Sequence, residues 1–137
     1  MASSLERVVY ESRATDSTGS LLNLATILAQ SQRNNARDGL TGALAAHREH
    51  FVQVLEGRAD QLALALKRIS ADPRHGDIRI LEQGPINARS FEGWSMAAAR
   101  ISPELAPRLE QILAARGTGS GPEIVSLLRS VSLSASA

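Results

Sequence analysis

The chain has 137 residues, enough for one ordinary domain, and its 15 basic and 14 acidic side chains leave a formal net charge of +1. That interspersed balance argues against nucleic acid or an anionic membrane as the main partner, and 43% hydrophobic with 21% charged residues is a normal globular mix. There is no cysteine for disulfides or thiol chemistry, no apolar run near the roughly 18–20 residues that span a bilayer, and no signal-like start, so a cytoplasmic protein is expected.

"LERVVYES" (5–12) reads as a first strand, and "ATDSTGS" (14–20) as a loop of turn residues. Ser20 can cap the helix "LLNLATILAQSQRNN", whose Leu21, Leu24, Ala25 and Leu28 fall on one face. Asn34, Asn35 and "RDG" (37–39) end it. "LTGALAAH" and "HFVQVLEG" form two strands about a short turn at Arg48 and Glu49. A second helix over about 59–71 carries the stripe Leu62, Ala65, Leu66 and Ile69, and Pro73 stops it. "DIRILEQG" (77–84) and "WSMAAARI" (94–101) read as two more strands.

This order predicts an α+β fold: a ferredoxin-like βαββαββ sheet with two helices on one face. The opposite face needs a cover, and the C-terminal part supplies one. Leu105, Leu109, Ile112 and Leu113 line a third helix that becomes regular at about Ala106 and ends at Gly117. After the "GTGSGP" linker, Ile124, Leu127, Leu128 and Val131 repeat the helical spacing, and "SLSASA" reads as a frayed tail. The expected division is 1–101 for the sheet domain and 102–137 for the helical cap.

"FVQVLEG" (51–57) poses the sharpest question. Alternation puts Gln53 on one face with Phe51 and Leu55, where an unpaired amide costs on the order of 1–3 kcal/mol. Something must pair with it.

Enzyme motifs are absent: there is no G-x-S-x-G, H-E-x-x-H, Walker loop or G-x-G-x-x-G. His47 and His50 flank the hairpin turn, where solvated histidines are commoner than metal ligands. Arg68, Arg74 and His75 surround the end of the second helix, as cations suited to a helix C-terminus or as a phosphate anchor. Asn34 and Asn35 are helix terminators, or donors and acceptors for a ring bearing C=O and N–H groups. Only four aromatics exist, Tyr10, Phe51, Phe91 and Trp94; Tyr10 and Trp94 each need a polar partner, and Met96 shares the face of Trp94 on the last strand.

Together these residues resemble the BLUF family, blue-light sensors that use FAD. The matching stretches are "RVVYESRAT", "SQRNNARDGLTGAL", "FVQVLEG", "RISADPRH", "GPI" and "FEGWSM", in family order across roughly residues 5–99. "ALAAH" (43–47) departs from it, since relatives often carry bulkier residues there.

The resemblance implies an isoalloxazine ring between the two helices, above the sheet, from FAD or from FMN or riboflavin in its place. Gln53 would lie between that ring and Tyr10, which answers the question above. Blue light would draw an electron and a proton from Tyr10 through Gln53, leaving the amide rotated or tautomerised and the absorption shifted to the red. Ser12 would support this switch of Tyr10, Gln53, Trp94 and Met96. Asn34 and Asn35 would hold the ring's polar edge, with Ile27 and Phe51 also against the cofactor, and Arg68, Asp72, Arg74 and His75 near its ribityl–phosphate end. No substrate is turned over, and with no cyclase, phosphodiesterase or DNA-binding part in the chain, a separate effector protein is the expected partner, with a homodimer as the expected assembly. Two other readings share the fold: a non-photoactive ligand-binding regulatory module, and an acylphosphatase-like enzyme, which would need its catalytic Asn on a strand.

Overall fold

The structure, a computed structural model, describes residues 5–14, 21–47, 50–71, 75–99, 101–115 and 120–136. The chain runs β1 (Leu5–Ala14), α1 (Leu21–Asp38), β2 (Thr41–His47), β3 (His50–Arg58), α2 (Ala59–Ala71), β4 (His75–Pro85), β5 (Ala97–Ala99), α3 (Ala106–Ala115) and α4 (Ser120–Ser136). The sheet order is β4-β1-β3-β2-β5, with β5 parallel to β2 and the other pairs antiparallel. This is the expected ferredoxin-like sheet with one strand added at the β2 edge.

Strand β3 lies at its centre, and every residue from Phe51 to Gly57 is buried. A strand covered on both faces reads as a near-continuous apolar run rather than an alternating one. Alternation still sorts its side chains into two cores. Phe51 and Leu55 face α1 and α2, packing with Val8, Tyr10, Leu44, Leu62 and Met96. Val52 and Val54 face the C-terminal cap, packing with Val9, Ala43, Leu109, Ile112, Ile124 and Leu128.

Helix α1 ends within the expected "RDG" segment, at Asp38. Asn34 and Asn35 are helical, and termination falls to Gly39, whose φ of 72° lies in the left-handed region that favours glycine. The Leu40 N–H donates to the Asn35 carbonyl at 2.8 Å, the six-to-one bond of a Schellman end. Leu40 itself is buried. Two asparagines near a helix end looked like terminators; in this chain they sit one turn before the glycine that does the work.

Three boundaries differ from expectation. His75 opens β4, paired with Ala14, instead of closing α2. Strand β5 spans only three residues, so Trp94 and Met96 precede it. Trp94 O still accepts from Gly42 N of β2, but between that bond and Ala97 the carbonyls turn to α1: Ser95 O accepts from Asn35 Nδ2, and Met96 O from Gln32 Nε2. Finally, α4 begins at Ser120, with "SGP" in its first turn, and continues to Ser136 where a frayed tail was expected. Proline in a first helical turn costs no hydrogen bond.

The cap folds over the sheet as expected, with Leu109, Ile112, Ile124 and Leu128 buried and Leu105 and Leu113 partly so. In α1, Ile27 is buried and Leu28 packs beside it; the other stripe positions, Leu21, Leu24 and Ala25, have side chains outside the described residues, as do Ser20, Arg48, Glu49, Pro73 and Gly117.

Candidate functional site

The β1–β3 register places Tyr10 directly opposite Gln53, and the β2–β3 register places Leu44 on its other side. Directly opposed residues of an antiparallel pair share a face. Tyr10 is fully buried and Gln53 nearly so. The Tyr10 hydroxyl donates to Gln53 Oε1, and Gln53 Nε2 donates to the Met96 sulfur at 3.7 Å. The buried amide thus pairs on one side with a phenol and on the other with a thioether, a weak acceptor. Ser12, also fully buried, continues the Tyr10 face and stands opposite Phe51.

Above this pair α1 and α2 part around a cleft of about 340 Å³. Gln53 and Leu55 line its floor, Ile27 and Ala65 its walls, and Asn34, Asn35, Arg33 and Arg68 its polar side. The structure therefore brings Ile27, Asn34, Asn35, Gln53 and Arg68 together. Tyr10, Ser12, Phe51 and Met96 form the layer behind them. Trp94 parts from Met96: it is half-buried and packs with the cap-side core, so the two do not share a face. Asp72 and Arg74 lie outside the described residues, as does the His75 side chain.

Arg68 reaches Asp38 at 3.5 Å. Asp38 also accepts from Arg37 at 2.9 Å, and that hydrogen bond, more than any other influence, holds its carboxyl below the usual range. The carboxylate at the end of α1 thus orients a cation toward the cleft from α2. At the hairpin, exposed His50 lies 3.9 Å from Glu11, and among the described residues no three His, Cys, Asp or Glu gather as a metal site.

Sequence reading missed two features. On α1, Gln30, Ser31 and Arg33 line the cleft. A signal was present: the apolar phase Leu24, Leu28 continues to Ser31 and Asn35, and polar residues at core-phase positions mark a face turned to a ligand. The second is Glu56, fully buried on β3. Its carboxylate accepts from Ser90 N at 2.7 Å, Phe91 N at 3.0 Å and Thr41 Oγ1 at 3.0 Å. Arg89 closes the knot, donating to Thr41 Oγ1, Glu56 O and Gly39 O. This knot seats the loop that leads to Trp94 and Met96. Glu56→Ala would strand three donors, two of them backbone, and should cost about 3 kcal/mol of stability, read by chemical denaturation.

The donor set fits an isoalloxazine ring, whose polar edge alternates C=O and N–H groups. Carboxamides at Asn34, Asn35 and Gln53 offer both functions, the aliphatic walls accept the flat face, and Arg33 and Arg68 suit a phosphate. A module that grips a flat heteroaromatic ligand over a hydrogen-bonded Tyr–Gln pair is what this fold and cleft define.

The family model described as "BLUF: Sensors of blue-light using FAD" matches residues 5–97, and the chain belongs to that family. The photoactivated adenylate cyclase subunit beta of Euglena gracilis is 34% identical over 96 residues, 69% of this chain and 11% of the relative. The chain thus spans about a tenth of the length of the curated relatives it matches. Among solved structures, the dark-state structure of BlrB, a BLUF protein, superposes with a TM-score of 0.79 at 34% identity, covering 100% of both chains. A bacterial light-regulated adenylyl cyclase superposes with a TM-score of 0.73 at 26% identity, over 93% of this chain and 40% of that one.

Proposed function

We propose that this chain is a blue-light photoreceptor that holds FAD non-covalently in the α1–α2 cleft and switches through the Tyr10–Gln53 pair. The observation that carries this reading is the Tyr10 hydroxyl donating to a Gln53 amide that also lines the cleft. Bound there, the flavin supplies the light-absorbing ring and, once excited, an electron acceptor.

The chain's residues do the rest. Tyr10 holds the transferable proton at Oη and is the nearest oxidisable side chain to Gln53. Gln53 Oε1 is placed to receive that proton and Nε2 can release one, so the amide can be left tautomerised or rotated, in a different hydrogen-bonding arrangement. Two arrangements are chemically distinct here. With Oε1 on Tyr10, Nε2 faces Met96 Sδ and donates to it. With the amide turned over, Nε2 faces the phenol and Oε1 faces a sulfur that cannot donate, so the Met96 contact is lost. Met96 therefore registers the state of the amide, and the segment before β5 is the first element to feel it. Asn34 and Asn35 orient the ring.

A light-minus-dark absorption difference spectrum of the purified chain tests the proposal: a yellow protein with a reversible red shift supports it, and a colourless or light-inert protein overturns it. Phosphate anchoring by Arg68 adds a second measurement. Arg68→Ala should weaken FAD about fivefold, the factor that about 1 kcal/mol carries, yet leave riboflavin, which has no phosphate, unchanged. Equal loss for both ligands would return Arg68 to its Asp38 pairing alone.

The proposal extends to output. Relatives that carry this module within a cyclase support a signalling role toward an effector, which for this chain we take to be a separate protein. It also includes the sequence-based expectations of a two-part chain divided near residue 101, a cytoplasmic location and a homodimer; light scattering on the purified chain reads the last.

A further inference from the structure

Met96 is held from two directions. Its sulfur accepts from the buried Gln53 amide at 3.7 Å, and its backbone carbonyl accepts from Gln32 Nε2 at 3.1 Å. Gln32 is exposed on α1, one turn before Asn35, whose own amide holds the Ser95 carbonyl at 2.8 Å. Residues three apart on a helix share a face, so two carboxamides grip two consecutive carbonyls. Both bonds lie just before β5, which begins only at Ala97. The backbone on which the Met96 side chain hangs is thus held by α1, the helix that also walls the cleft, between two attachments to β2, at Trp94 and at Ala97.

We propose that Gln32 is a positioning residue of the photoswitch: by fixing the Met96 carbonyl it sets the thioether over the Gln53 amide, and it links that buried amide to the exposed surface of α1. The link rests on the photoreceptor reading above. Gln32 touches neither the cleft nor the Tyr10–Gln53 pair, so it acts only through Met96. Its exposure gives the link its character. A hydrogen bond at the surface exchanges easily with water, so it can break when the amide turns and re-form when it returns. The consequence for the switch is directional. In the dark arrangement Gln53 Nε2 needs Met96 Sδ in place; a loosened Met96 weakens the arrangement to which the lit protein must return.

Donor chemistry separates this role from ordinary packing. Gln32→Glu has almost the same shape but sets an acceptor against the Met96 carbonyl. Gln32→Leu has neither function. Gln32→Lys restores a donor on a longer stem. The test uses the full chain as purified, with two readouts. The first is the rate of return from the lit to the dark spectrum. Gln32→Leu and Gln32→Glu should slow it about fivefold, the factor that one neutral hydrogen bond of about 1 kcal/mol carries, and Gln32→Lys should stay within about twofold of the parent. The second needs no light. The chain has only two methionines, Met1 and Met96, so 13C-methyl labelling yields a spectrum in which Met96 is readily assigned. In the dark its methyl resonance should move in Gln32→Leu and Gln32→Glu and hold in Gln32→Lys. The inference is overturned if the Met96 methyl is indifferent to Gln32→Glu, or if Gln32→Lys behaves like Gln32→Leu in both readouts. A parent chain without any red shift would sink the photoreceptor reading itself, whereas a normal parent with insensitive variants sinks only the role of Gln32.

Discussion

Gln53→Leu is expected to give a folded, flavin-bound protein with no light-induced red shift. Leucine nearly conserves the volume of glutamine, and the position already faces Leu44, Leu55 and Phe51 across an apolar layer. The fold therefore tolerates the side chain. What it loses is the acceptor for a fully buried phenol, since Tyr10 donates to Gln53 Oε1. A buried hydroxyl left without that partner costs about 1–3 kcal/mol, partly offset by the apolar gain at position 53. Stability should fall modestly while switching disappears, because among the described residues no other side chain offers donor and acceptor on one short arm between Tyr10 and the cleft. The measurement is a light-minus-dark difference spectrum beside a denaturation curve. A full red shift in Gln53→Leu would remove the amide from the mechanism.

The same residue shows how far the sequence could be read. An amide inside "FVQVLEG" demands a partner, and antiparallel pairing supplies Tyr10 from a strand 43 positions away. Period-two alternation and the cost of an unpaired polar group required a partner; that the partner is Tyr10 was what the family resemblance implied, and the register bears it out. Helix α2 was legible down to its stripe, and so was the cap, because long amphipathic segments carry their own period. Short elements were not. "WSMAAARI" has the composition of a strand, yet only Ala97–Ala99 pairs, because Gln32 and Asn35 compete for the carbonyls before it. That competition is tertiary, and no local pattern announces it. It also separates Trp94 from Met96, which alternation had put on one face. Glu56 was invisible for a related reason. A charged residue after an apolar run reads as a strand end, and only the arrival of Ser90 and Phe91 reveals a buried carboxylate that orders a loop.

Tyr10→Phe should abolish the red-shifted state outright. The substitution removes a single oxygen from a fully buried ring, so the Val8–Tyr10–Phe51 packing survives and flavin binding should persist. Gln53 Oε1 loses its donor, and the site loses its source of both electron and proton. Excited flavin is quenched by nearby oxidisable side chains, and this chain offers one tyrosine and one tryptophan. Flavin fluorescence in Tyr10→Phe should therefore rise severalfold. The sequence alone makes Trp94 the reserve donor, which would brighten the double variant further. The structure argues for a smaller effect: Trp94 packs with the cap-side core, whereas Tyr10, Met96 and the cleft share the opposite face. Tyr10→Phe with Trp94→Phe should then be only slightly brighter than Tyr10→Phe, and Trp94→Phe alone should leave the red shift intact. Steady-state fluorescence and the difference spectrum of the three variants separate the cases. Should Tyr10→Phe photoswitch with normal yield, the proton has another source, and the Tyr10–Gln53 bond is structural rather than photochemical. A large second rise on removing Trp94 would instead place that ring beside the flavin, with Met96 displaced from the Gln53 amide.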